Sequence, residues 1–158
     1  YNKIKKFDFK YYTKGKNQFK NIPIDLLPHA LSFLFTLNSN ELNKFKILRV
    51  NKKKNIWNCK IVVNDCLCNF FFRQDPQRLE SRLSFKINQD TYLRKHFIKN
   101  NSYVNRVLKN KKKLINLKNP MSDYLSLIYK NMNKKNILKK NNDITINSVK
   151  IMEKLINI

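Results

Sequence analysis

Thirty-four Lys and Arg face ten Asp and Glu in 158 residues, a net charge of +24. A compact state so one-signed repels itself and is best satisfied by a polyanion. RNA, DNA and an anionic membrane are the three candidates. Lys and Asn dominate, with abundant Ile, Leu, Phe and Tyr, while Gly occurs once (Gly15) and Ala once (Ala30). That bias follows A/T-rich codons, so the composition points to an A/T-rich gene, with an organellar genome the best fit and an A/T-rich nuclear or parasite genome the alternative. Small, very basic proteins of organelles are mostly ribosomal. Hydrophobic residues make up 42% of the chain, enough for a core of one modest domain or two small ones. No run of about eighteen apolar residues is present to span a bilayer. The longest apolar stretch, 30–37, includes Ser32 and Thr36. Neither a signal peptide nor a transit peptide opens the sequence.

Residues 1–20 carry seven Lys and one Asp among Phe7, Phe9, Tyr11, Tyr12 and Phe19. They read as a basic arm, extended and ordered on a partner, with aromatics able to stack on bases or to anchor on protein. Asp25 precedes an apolar stretch, 26–37, at helical spacing, with Pro28 in the first turn. Strand-like runs follow at 45–50, 56–63 and 66–73, separated by 51–55 and by Asn64-Asp65, both turn chemistry. This predicts a three-stranded antiparallel meander with the helix on one face. Asp75-Pro76 reads as a cap and first position of a helix to about Phe85, and a second helix is expected over 90–99. Residues 101–118 read as a basic linker. Asn119-Pro120 opens a helix with Met121, Tyr124, Leu125, Ile128 and Met132 at helical spacing. A short strand, 144–146, and a last helix capped by Asn147 or Ser148 complete the chain. The expected fold is α+β, with four segments: an arm (1–20), an α+β domain (21–100), a linker (101–118) and a helix-strand-helix unit (119–158).

In that last unit, Asn119-Pro120-Met121-Ser122-Asp123-Tyr124-Leu125-Ser126-Leu127-Ile128, then Asn131, resembles the N-terminus of bacterial-type small-subunit ribosomal protein eight. Ile144-Thr145-Ile146-Asn147-Ser148-Val149-Lys150-Ile151 resembles its second block, where the Ser starts a helix and the Lys faces RNA. More weakly, Arg78-Leu79-Glu80, Leu93-Arg94-Lys95 and Val104-Asn105 resemble small-subunit ribosomal protein four, although Arg106 stands where that pattern has Gly. The first resemblance covers a quarter of the chain, which ends before the family's later strands. It implies that the last helix, carrying Val149, Met152, Leu155 and Ile156, is completed by another polypeptide, such as a split-gene fragment or a neighbouring ribosomal protein. The alternative is that the meander folds back to cover it.

The functional expectation is a structural rRNA-binding protein of an organellar, mitochondrial small ribosomal subunit, with a plastid-type organelle as the alternative location. Phosphates would be met by Lys52, Lys53 and Lys54 at a hairpin tip, by Arg106, Lys109, Lys111, Lys112 and Lys113 in the linker, by Lys134, Lys135, Lys139 and Lys140 in a loop, and by Ser148 and Lys150 through the resemblance. The alternative is a basic accessory subunit of a mitochondrial inner-membrane complex, meeting anionic lipid head groups. An enzyme is not expected: the carboxylates are scattered, His29 and His96 are isolated, and one Gly cannot build a phosphate-cradling loop. A Cys66–His96 nucleophile and base pair has nothing to support it. No cofactor and no metal is expected, because Cys59, Cys66 and Cys68 lack a usual zinc spacing and read as core filling.

Overall fold

The computed structural model describes residues 4–16, 20–38, 41–77, 81–99, 102–117, 125–126, 129–131 and 133–158, with backbone alone for 96–99, 102–104 and 116–117. In chain order the elements are β1 (Lys6–Thr13), α1 (Ile22–Leu37), β2 (Phe45–Lys53), β3 (Ile56–Val63), β4 (Cys66–Gln74), β5 (Arg82–Ile87), β6 (Asp90–Lys99), β7 (Ser102–Lys109), β8 (Lys112–Leu117) and α2 (Lys135–Ile156). The strands form one sheet in the order β2-β3-β4-β1-β5-β6-β7-β8. Every neighbouring pair is antiparallel except β1 with β4, which run parallel. The fold is α+β, and the expected meander is present as β2, β3 and β4, one flank of a larger sheet.

Period-two patterning makes these strands. In β1, Phe7 and Phe9 are buried while Lys6 and Lys10 are exposed. In β3, Trp57, Cys59, Ile61 and Val63 alternate with polar or half-exposed neighbours, and β4 does the same from Cys66 to Gln74. Register places Phe7 beside Cys68, Phe9 beside Phe70 and Tyr11 beside Phe72, so one face collects the aromatics. Phe70 and Phe72 stack with centroids 6.4 Å apart, and Trp57 stacks on Phe72 at 5.8 Å. Each such side chain contributes roughly 1.5–3 kcal/mol by leaving water. Against this face α1 buries Ile22, Leu26, Leu27, Ala30, Leu31, Leu34 and Phe35. The other face of the sheet has no helix upon it among the described residues.

Five positions carry positive φ, all of them Asn, Asp or Lys: Asn64, Asp65, Asn88, Asn110 and Lys111. Asn64-Asp65 and Asn110-Lys111 make two-residue hairpin turns of the kind that usually takes Asn-Gly. The Asn side chains also tie strand starts together. Asn88 Oδ1 accepts from the Lys5 and Lys6 N–H groups, at 2.9 and 3.1 Å. Asn64 Oδ1 accepts from those of Asn43 and Lys44, at 2.9 and 3.1 Å.

Several expectations are corrected. The segment 1–20 is not a free arm; its residues 6–13 form β1, inside the sheet between β4 and β5. The described residues of the helix expected from Asp75 are not helical: Asp75 Oδ1 accepts from the Gln77 N–H at 3.1 Å, a local turn, and Leu83, Phe85 and Ile87 alternate with Ser84 and Lys86 as β5. The span 90–99 is β6, and the supposed linker is the hairpin β7–β8. Their β-branched and aromatic residues pair across strands, a gain that exists only in the assembled sheet. The strand expected at 144–146 lies inside α2, because Ile144, Ser148, Ile151 and Leu155 repeat at helical spacing and are its buried face. Ser148 caps nothing; its hydroxyl donates to the Ile144 carbonyl at 2.7 Å. Helix α1 begins at Ile22, so Asp25 and Pro28 lie within it and Pro23 occupies the first turn. Of the helix expected from Asn119, residues 125–126 and 129–131 are helical, while Asn119, Pro120, Met121, Tyr124, Ile128 and Met132 lie outside the described residues.

Candidate active site

The parallel pair β1 and β4 aims two carboxyl ends at one place. The first turn of α1 returns to it, the position where α/β sheets take their ligands. Asp25 and His29 stand there, one helical turn apart on α1, so that their side chains share a face. Both residues are exposed. Gln74, the last residue of β4 and 2% exposed, donates from Nε2 to Asp25 Oδ2 at 2.5 Å. Tyr11 of β1 meets the His29 ring edge-on, with centroids 5.9 Å apart. The Arg94 guanidinium lies 5.8 Å from the centroid of the same Tyr11 ring. Register explains the alignment: Phe72, Tyr11, Leu83 and Arg94 form one row across β4, β1, β5 and β6 on the helix side of the sheet.

The single glycine belongs to this arrangement. A Cβ at Gly15 would lie 2.6 Å from Gln74 Oε1 and 2.7 Å from its Cδ. No glycine has positive φ, so Gly15 is needed for space. It leaves room for the Gln74 amide, which reaches Asp25. Chemically, an imidazole one turn from a fixed carboxylate can take up and return a proton. A phenol and a guanidinium beside it can bind oxygen-bearing groups.

The residues singled out from charge are scattered. Lys52 and Lys53 end β2, and Lys54 is in the turn to β3, all exposed. Arg106 lies half-buried in β7. Lys109 closes an ion pair with Asp90 at 2.7 Å. That contact, with a hydrogen bond from Asn110, holds the Asp90 carboxyl below its usual range and raises Lys109. Lys111, Lys112 and Lys113 form the β7–β8 turn and the start of β8, while Lys134, Lys135, Lys139 and Lys140 lie at the start of α2 and Lys150 on its outer side, all exposed. No single groove gathers them. The sequence reading missed Asp25 and His29 as a pair; their i, i+4 spacing was the available signal, and it required a helix already running through Asp25.

The uncovered sheet face carries a cavity of about 700 Å³ lined by Arg82, Ser84, Thr91, Leu93, Lys95, Leu108, Asn110 and Lys111. It contains no acid and no imidazole. The three cysteines are buried against the helices. Desolvation pushes the Cys59 thiol up, while the Cys68 thiol, 3.8 Å from Cys66, lowers Cys66 by hydrogen bonding and is itself raised. Among the described residues no group of three or more His, Cys, Asp or Glu is arranged to hold a metal. No described helix is long and apolar enough to cross a membrane.

No protein-family model matches the chain, and no curated protein sequence matches it. Its likeness is to solved structures. A dehydrogenase, MviM from Clostridium difficile, superposes over 98% of this chain with a TM-score of 0.50 at 14% identity. YvaA, a candidate oxidoreductase from Bacillus subtilis, superposes over 99% with a TM-score of 0.53 at 9% identity. The chain spans 55% of the length of each. At such identities the likeness is one of fold alone.

This overturns the ribosomal reading. The sheet is continuous from β1 to β8, and α2 runs unbroken through the residues that resembled a ribosomal strand and cap. Ile151 and Leu155 are buried within the chain's own core, with α2 packed on α1 and β2, although Val149 stays 46% exposed. A missing ribosomal strand is therefore not what covers α2. With the family resemblance go rRNA and ribosomal neighbours as partners, the inner-membrane alternative, and the expectation that the chain is not an enzyme: the solved structures it resembles are a dehydrogenase and a candidate oxidoreductase.

The described residues do not fit a nicotinamide dinucleotide. A pyrophosphate seat needs glycines where a strand turns into a helix. Between β1 and α1 stands one glycine, and the space it leaves is filled by the Gln74 amide. No step through a dinucleotide is assigned to these residues.

Proposed function

We propose that the chain is the substrate-side sheet domain of an oxidoreductase, with Asp25 and His29 as its proton-handling pair. The observation that carries this reading is the pair itself: a carboxylate fixed by Gln74 and an imidazole one turn away, at the carboxyl ends of the two parallel strands. The shared fold supports it. In this reading the His29 imidazole takes the proton of a substrate hydroxyl while the hydride on its carbon passes to an external hydride acceptor, and returns the proton in reverse. Asp25 balances the imidazolium charge across the helical turn, and Tyr11 packs against the ring.

The test is oxidation of a panel of polyols, sugars and hydroxy acids by the native protein, with nicotinamide dinucleotides and redox dyes each supplied in turn as the hydride acceptor and followed by absorbance. Asp25→Asn and His29→Gln should each lower kcat by about 10²–10⁴ with KM little changed. Full activity in both variants, or no turnover with any acceptor across the panel, would refute the reading.

A further inference from the structure

We propose that Arg94 is an oxyanion-binding residue of this site, so that the substrate carries a carboxylate or phosphate group a few bonds from its reacting oxygen. The proposal rests on the reading of Asp25 and His29 given above and extends it to the class of substrate. Arg94 Nε is buried with no hydrogen-bond partner. Two other described side-chain atoms share that condition. Trp57 Nε1 lies in the core, and Arg73 has its Nη2 3.3 Å from Asp75 Oδ2. Among the described residues Arg94 has no such carboxylate. It lies on the helix side of β6, and Arg94 and the His29 ring are each within 6 Å of the Tyr11 ring centroid. Its neighbours in the row, Leu83 and Val107, are apolar. A planar guanidinium between two apolar residues, with an N–H unused, presents a fork that matches the two oxygens of a carboxylate or phosphate. Binding there would leave the far end of the ligand toward Asp25 and His29.

The experiment is a titration of the whole protein with inorganic phosphate and, separately, acetate, at fixed ionic strength near 0.15 M to screen the general positive field. It is read by NMR at the side-chain signals of Arg94 Nε–H, Tyr11 and His29. Saturable shifts at these three are expected with at least one probe, and the tighter probe identifies the substrate's anionic group. Arg94→Gln should weaken that binding at least 10-fold, and Arg94→Lys, which keeps the charge without the fork, by an intermediate factor. Arg82→Gln, on the opposite face, should leave it unchanged. Thermal unfolding of each variant establishes that it is folded. The proposal fails if neither probe gives saturable shifts at these signals, or if folded Arg94→Gln and Arg94→Lys bind as the parent does. Anion binding that depends on Arg94, in a protein whose turnover ignores Asp25 and His29, would sink the earlier reading and leave this one standing.

Discussion

Gly15→Ala puts one methyl group where the structure has none to spare. The added Cβ would meet Gln74 Oε1 at 2.6 Å, well inside van der Waals contact, and the backbone at 15 is not the obstacle because its φ is not positive. Gln74 is buried, so its amide can yield only by turning away from Asp25. A hydrogen bond to a charged group contributes about 1.5–3 kcal/mol, and the low end applies because Asp25 is exposed. Against this, alanine restricts the unfolded chain and returns about 0.4–1 kcal/mol. The net loss is about 1 kcal/mol, a fall in Tm of roughly 2–4 °C for a chain of this size. Circular dichroism melts of the parent, Gly15→Ala, Gln74→Ala and the double variant form the assay. In the Gln74→Ala background Gly15→Ala should become neutral or stabilising, because the clash has gone. Equal destabilisation in both backgrounds would show that Gly15 is not there to make room for Gln74, and the account of how Asp25 is held would fall.

Three further outcomes are expected. Trp57→Ala should cost about 3–5 kcal/mol, whereas Trp57→Phe gives up no hydrogen bond, since Nε1 has none, and should cost about 1.5 kcal/mol or less; urea unfolding measures both. Asp90 has a lowered carboxyl pKa, so its contribution to stability is present above its unfolded value and lost as pH falls through the folded one, and Asp90→Asn should flatten the acid limb of a stability-versus-pH curve. Lys109, which is raised, loses its share as pH rises through the folded value, so Lys109→Gln should flatten the alkaline limb instead. The native thiols should react slowly with Ellman's reagent and all three should react on unfolding; one thiol reacting at the rate of free cysteine in the folded protein would contradict the burial of Cys59, Cys66 and Cys68.

The meander was legible because its signals are local: alternating residues in β3 and β4, and Asn64-Asp65 between them. β5 to β8 were not, since Leu83, Phe85 and Ile87 begin only seven residues after a Pro that imitates a helix start. Their strand state depends on β1, whose partner residues lie 60 to 80 positions away in sequence. Ile144-Thr145-Ile146 shows the reverse case, β-branched residues drawn into a helix because Ile144, Ile151 and Leu155 can be buried together. Asp25 and His29 were legible only as spacing. Their meaning came from Gln74 and Tyr11, which no local pattern connects to α1. The net charge misled for a related reason: it belongs to the whole surface, and surface charge sets solubility and association without choosing a fold.

The placement of β1 governs how the chain must come together. Lys6 pairs with Leu67 and Phe7 with Ile87, so β1, made before either of its partners, is among the last strands to be satisfied on both edges. Contacts of such sequence separation slow folding. During synthesis at about 5–20 residues per second, Phe7, Phe9 and Tyr11 wait several seconds as an unpaired, aromatic edge, the kind that recruits other nascent chains. Lys5, Lys6, Lys10, Lys14 and Lys16 accompany those aromatics. Lysines on an open edge oppose pairing between copies, so part of the positive charge guards β1 while it waits for its partner strands.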